Sequence, residues 1–265
     1  MDRVTHAERV DEALSVDQMR VMTRVLGEEE AQREHVVVYL SGAHAYGFPS
    51  PDSDLDLKAI HVAKTADLLG FEVPAPTSDR AEIIDGVEID YTSNELAHAL
   101  HGMLGGNGNF LERVLGRMTA TSSSLLAELR PLAQRSLSRR VHRHYRGFAQ
   151  NQLRFLEKEP TAKKLLYVLR TTTTGIHLLL TGEIESDLTR LMDRYDLQDA
   201  GALVERKRTG ERVAVDPSLV ETWRSRIESL FTQLDVARDR SPLPEEPRNE
   251  AEIREWLLAV RTARL

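Results

Sequence analysis

The chain has 265 residues, of which 41% are hydrophobic and 29% charged, and a formal net charge of −7. It contains no cysteine, which excludes disulfides, thiolate metal sites and cysteine nucleophiles. No run approaches the ~18 consecutive apolar residues of a membrane span, and the first residues carry no apolar signal-peptide core, so a cytoplasmic protein without a membrane partner is expected. The charge is unevenly spread. Between residues 42 and 92, ten acids stand against Lys58, Lys64 and Arg80, and between 135 and 170, ten bases stand against Glu157 and Glu159. The first stretch suits metal ions and the second suits polyphosphate or nucleic acid.

In chain order, residues 1–16 are polar and read as frayed. Met19, Val21, Met22, Val25 and Leu26 mark a helix over 16–34. The short β-branched run at 35–41 reads as a buried strand, followed by no more than a helical turn at 44–49. A second strand is predicted over 54–62 and a helical turn over 65–69. Residues 72–80, with Pro74 and Pro76, read as a loop. Residues 81–84 and 87–92 flank Asp85-Gly86, a strong hairpin signal. Ser93 or Asn94 is predicted to cap a helix starting at Glu95, with Leu96, Leu100, Met103 and Leu104 inward. Gly105-Gly106-Asn107-Gly108 breaks it, and Asn109 is predicted to cap a short helix running to Leu115. After Gly116 no strand pattern is convincing. Helices are predicted over 122–134, 137–157, 161–181, 186–195, 200–208, 218–238 and 250–262, with a Pro-rich linker at 239–249. The fold class is therefore α+β: a small mixed β-sheet with flanking helices over 1–118, then an all-α helical domain over 119–265.

The chemistry concentrates in HVVVYLSGAHAYGFPSPDSDLDLKAIHV, residues 35–62. Strand alternation puts Asp54 and Asp56 on one face, with Leu55 and Leu57 on the other. Two carboxylates side by side repel unless a cation lies between them, and an all-oxygen set suits a hard divalent ion such as Mg²⁺. Gly42 removes a side chain where the first strand turns, so backbone N–H groups there can approach a phosphate. Glu88 and Asp90 share a face of the strand at 87–92. If that strand lies beside 54–62, Asp90 joins Asp54 and Asp56 in a three-carboxylate site able to hold two Mg²⁺ ions, with Mn²⁺ as a possible substitute.

Gly42-Ala43, the spacer, Asp54-Leu55-Asp56 and the later Asp90 resemble the signature of the DNA polymerase β-type nucleotidyltransferase superfamily. The wider string AYGFPSPDSDLDLKAI, with Asn107-Gly108-Asn109-Phe110-Leu111-Glu112, resembles a branch of predicted bacterial and phage nucleotidyltransferases, some associated with RNA ligases and RNA repair. The resemblance covers residues 35–180. It implies Asp54, Asp56 and Asp90 as catalytic metal ligands, and nucleotide binding through Gly42, Ala43 and Ser53. This chain departs from the pattern in two places. The superfamily has Gly-Ser or Gly-Gly where Gly42-Ala43 stands, and the branch has Arg where His44 stands.

Arg139, Arg140, Arg143 and Arg146 recur at helical spacing. Lys163, Tyr167 and Arg170 share a helix face, with Lys164 adjacent. In the superfamily a helical domain commonly supplies positive charge to the β and γ phosphates. The resemblance assigns that role to Lys163 or Lys164 with Arg170, and base stacking to Tyr167. The pairs His98/His101 and His142/His144 lack a His-Glu-x-x-His pattern and are set aside as zinc sites. The expected activity is Mg-dependent transfer of a nucleoside monophosphate from an NTP such as ATP to an acceptor hydroxyl, with release of pyrophosphate. The expected acceptor is an RNA end, in RNA repair or tRNA processing. Nucleotidylation (AMPylation) of a protein or small molecule stays open, as does nucleotide binding without turnover, to which Ala43 points.

Overall fold

The computed structural model describes residues 10–265. Two compact units emerge. One comprises the chain up to Gly42, residues 54–136 and residues 247–265; the other comprises residues 43–53 and 137–246. The chain is thus not divided at 118/119. Residues 43–53 join the helical unit, and the carboxy-terminal helix joins the sheet unit.

In the sheet unit, helix α1 (Val16–Glu30) begins in a capping box: the Ser15 hydroxyl accepts from Gln18 N–H, and the Gln18 side chain reaches back to Ser15. Strand β1 (Glu34–Leu40) is buried at every position but its first, as a central strand made of Val36, Val37, Val38, Tyr39 and Leu40 should be. Strand β2 (Leu55–Val62) runs antiparallel to β1. Strands β3 (Thr77–Ile84) and β4 (Val87–Glu95) form the hairpin announced by Asp85-Gly86, whose φ values of 50° and 82° are those of a left-handed two-residue turn. Strand β5 (Thr119–Ser122) closes the order β3-β4-β2-β1-β5, in which only β2 and β4 are parallel. Val21, Met22 and Val25 of α1 pack on Val38, Leu40, Leu55, Leu57, Ile89 and Tyr91. Each such side chain contributes about 1.5–3 kcal/mol when fully buried.

Several boundaries moved from their predicted positions. β3 begins inside the expected loop, because Thr77 pairs with Asn94 and its hydroxyl accepts from Asn94 Nδ2 at 2.9 Å. β4 therefore runs on to Glu95, and Glu95, not Ser93 or Asn94, caps helix α4 (Leu96–Leu104). The short helix α2 (Gly42–Tyr46) follows β1, and α3 (Thr65–Leu69) follows β2. Asn107 caps α5 (Gly108–Leu115), and α6 (Ser124–Arg135) follows β5. The final helix, α12 (Glu250–Thr262), returns to this unit. Arg261 pairs with Glu95 at 3.0 Å, Thr65 donates to the Arg261 carbonyl at 2.7 Å, and Trp256 donates to Glu128 at 2.9 Å.

The helical unit is built on α7 (Val141–Lys158), α8 (Ala162–Thr181) and α11 (Pro217–Arg240), with short α9 (Leu188–Leu191) and α10 (Gly201–Arg208) between them. Helix α8 is buried almost all round. Thr172 and Thr173 return their hydroxyls to the carbonyls of Val168 and Leu169. Of the expected helix at 186–195 only one turn forms. Asp187 caps it, after Glu185 and Ser186 have been drawn to Thr174 and the Ala45 carbonyl.

Burial pushes four imidazoles, those of His35, His44, His61 and His144, down to about 4. The unfolded chain protonates them near 6.5, so it takes up protons first as pH falls. Their contribution to stability is complete above 6.5 and shrinks as pH falls from there towards 4. Urea midpoints measured from pH 7 to pH 4 should decline over that interval; a flat profile would refute the neutral-histidine assignment.

Candidate functional site

The sheet unit brings two of the three predicted acids together. In the parallel β2–β4 pairing Asp56 lies opposite Asp90, and Leu55 opposite Ile89. Alternation holds throughout: Leu55, Leu57, Ile89 and Tyr91 are buried, whereas Asp56 and Lys58 are half-buried and Asp90 is exposed. Lys58 continues the acid face and reaches over both carboxylates. Its Nζ is 2.8 Å from Asp90 Oδ2 and 3.8 Å from Asp56 Oδ1. It also donates to the Asp90 carbonyl at 3.3 Å and to the Thr92 hydroxyl at 3.4 Å.

Gly42 sits against this pair. Its φ is +64°, and a Cβ placed there would lie 1.9 Å from Asp56 Oδ2. The neighbouring Ser41 N–H donates to the Asp56 carbonyl at 2.8 Å, which fixes the end of β1 to β2 at the acid. The glycine is thus required twice, by backbone conformation and by the space its missing side chain leaves to the carboxylate. Asp54 stands two residues before Asp56, just ahead of β2, and is half-buried. Among the described residues no three His, Asp or Glu side chains form a ready-made metal centre. The fit of a divalent cation therefore rests on the donor set. Asp56 and Asp90 offer hard oxygen ligands on adjacent strands, and the ammonium group already lying over both shows that this face accepts positive charge. On that ground the residues fit the ion.

In the helical unit, Ala43 and Ser53 are both buried. Lys163 is paired with Glu211, and Lys164 with Glu159 at 2.5 Å. The Tyr167 ring meets Tyr46 and Phe48 edge-on, with centroids 5.4 and 6.0 Å away. Arg170 is only 2% exposed, and its guanidinium lies 3.5 Å from the centroid of the Tyr46 ring. It lies beneath this aromatic group, on which the Ala45-Tyr46-Gly47-Phe48 motif is anchored. His44 is held neutral by burial and by nearby Lys207, against the opposing pull of Glu211.

Sequence reasoning missed Lys58, Ser50, Lys207 and Glu211. For Lys58 the signal was present, since it is the next residue of the alternation that selected Asp54 and Asp56. Lys207 is fully buried, and its Nζ donates to Ser50 Oγ at 2.6 Å, Ser53 Oγ at 3.3 Å and Glu211 Oε2 at 2.5 Å. Burial pushes the Glu211 carboxyl up, but hydrogen bonds from Lys163 and Lys207 outweigh it and hold the group below the usual carboxylate range.

The model of the RNA repair pathway DNA polymerase beta family matches residues 19–259. The chain belongs to that family. The RNA repair pathway DNA polymerase beta family is nucleotidyltransferase-like and of the polymerase beta type, which generally uses divalent metals. The match takes in the acid face, Gly42 and both units. An uncharacterized protein of Methanocaldococcus jannaschii is 31% identical over 229 residues, covering 83% of this chain and 90% of the relative. The crystal structure of a nucleotidyltransferase-like protein from Exiguobacterium sibiricum aligns over 92% of this chain and 79% of its own. The two share a TM-score of 0.34 and 9% sequence identity.

Proposed function

We propose that this chain transfers a nucleoside monophosphate from a nucleoside triphosphate to an acceptor hydroxyl, releasing pyrophosphate, and that the acceptor is an RNA end. The observation that carries the reading is the register of Asp56 opposite Asp90, with side-chain-free Gly42 against the Asp56 carboxylate. Asp54, Asp56 and Asp90 are the residues that would hold Mg²⁺. Bound there, the ions would neutralise phosphate charge and make the acceptor hydroxyl more acidic.

The rest falls to the chain's own groups. The acceptor oxygen forms a bond to the α-phosphorus, the bond to the pyrophosphate oxygen breaks, and the hydroxyl proton passes to the Asp90 carboxylate. Asp90, the more exposed of the two paired acids, suits that role. Lys58, which lies 2.8 Å from Asp90, would have to withdraw for these acids to hold a metal ion. Gly42 and Ala43 offer backbone to the phosphates, and Lys163 and Lys164 offer charge. Arg170, buried on Tyr46, acts as a positioning residue for Tyr167, which offers its ring to the base.

The test is incubation with each α-labelled NTP against total RNA and total protein. Label is expected in the RNA pool, with pyrophosphate released in step. Label in protein would move the acceptor to a protein hydroxyl. Nucleotide binding without pyrophosphate release would replace catalysis by sensing.

A further inference from the structure

We propose that Lys163, Lys207, Ser50 and Ser53 form a seat for the terminal phosphates of a polyphosphate chain, and that Glu211 fills this seat with its own carboxylate until such a ligand displaces it. The inference rests on the transferase reading only for the owner of that polyphosphate. Four donors converge on one carboxylate. Lys207 Nζ lies 2.5 Å and Ser53 Oγ 3.2 Å from Oε2, Ser50 Oγ reaches the same oxygen at 3.5 Å, and Lys163 pairs with Oε1. A structural ion pair needs one ammonium per carboxylate; here there are two. A terminal phosphate carries nearly twice the charge and three acceptor oxygens, which matches this donor set better than a carboxylate does.

Lys207 has no exposed side-chain surface, and Ser50 and Ser53 are buried in a closed turn, Ser53 N–H to Ser50 carbonyl and Ser50 N–H to Ser53 Oγ, both at 3.0 Å. Glu211 lies beyond the end of α10, directly after Gly210, and its backbone N–H donates to Asp52 Oδ2 at 3.1 Å. Rotation about that junction would carry the carboxylate out and leave two ammonium groups and two hydroxyls facing inward. A buried seat of this kind takes a chain end. A phosphodiester backbone, with one charge per phosphate and substituents on both sides, does not enter it.

The test uses the full chain and inorganic tripolyphosphate in EDTA, so that the acids of the sheet unit contribute no metal. Glu211→Gln keeps hydrogen-bonding capacity and removes the competing charge. It should bind tripolyphosphate about tenfold more tightly than wild type by calorimetry. Lys207→Met combined with Glu211→Gln should lose that gain. A single-stranded RNA with a 5′-hydroxyl should show no gain in either variant. Unchanged or weaker tripolyphosphate binding in Glu211→Gln, or an equal gain for the RNA, overturns the proposal. Hydrogen exchange on the wild type decides the matter even if the variants do not fold. Saturating tripolyphosphate should speed exchange at 209–212 and slow it at 50–53; added protection at 209–212, or no change, overturns it. Tripolyphosphate has no nucleotidyl group to transfer, so failure of the transfer assay leaves these results standing, and their failure leaves the transfer assay standing.

Discussion

Asp56→Asn should cost about a thousandfold in nucleotidyl transfer, the upper end of what removing one preorganised charge-stabilising group costs. The substitution is nearly isosteric and leaves the Asp56 backbone, which accepts the Ser41 N–H, untouched. What it removes is one of two negative charges that face each other across the β2–β4 pairing. The remaining charge on Asp90 is already matched by Lys58 at 2.8 Å, which leaves Asp54 as the other carboxylate of the set, so the variant holds a divalent cation far less firmly. Stability should change little, or rise slightly, because like-charge repulsion is relieved. The measurement pairs single-turnover transfer of labelled nucleotide with urea unfolding. Transfer at the wild-type rate in a folded Asp56→Asn protein would end the proposed mechanism.

The acid face was legible because strand alternation is local. Leu55 and Leu57 had to be buried, and that alone turned Asp56 and Lys58 to the other side. The β3–β4 turn was legible for the same reason, since Asp85-Gly86 needs nothing beyond its own backbone preferences. The pairing of Asp56 with Asp90 was stated only as a condition. Nothing in either strand fixes whether β2 and β4 are neighbours, and that choice belongs to the whole sheet. Strand β5 was missed because Thr-Ala-Thr-Ser is short and weakly apolar. It forms because β1 presents an unpaired edge, not from its own propensity.

The helical unit shows the limit more sharply. Lys163, Tyr167 and Arg170 do share a helix face, but helical spacing says nothing about what that face meets. Buried Arg170 stacks on Tyr46, 124 positions away in the chain. Glu211 meets Ser50 and Ser53 across separations of 161 and 158 residues. A charge reading of residues 135–170 counts bases and cannot see that Lys163 is already satisfied by an acid outside that window. The same blindness placed the domain boundary at 118/119. Composition changes there, whereas contacts tie β5 and α12 to the sheet unit and carry residues 43–53 into the helical one.

Gly42→Ala should lower transfer by about a hundredfold, the cost of misplacing a reacting group by an ångström or so, and should also lower stability. Two effects are superimposed. A φ of +64° costs an alanine about 1–2 kcal/mol. The new Cβ would also fall 1.9 Å from Asp56 Oδ2, and with the Asp56 backbone tied to Ser41 the carboxylate must rotate away from its place opposite Asp90. Gly86→Ala separates the two. Gly86 has a φ of +82° and nothing within 4 Å of its Cβ, so it carries the backbone strain without any carboxylate to displace. Both variants should lose stability in urea, Gly42→Ala the more, while Gly86→Ala transfers nucleotide at the wild-type rate and Gly42→Ala does not. Equal activity in the two would mean that the space beside Asp56 has no part in the chemistry, and that the glycine is there for the turn alone.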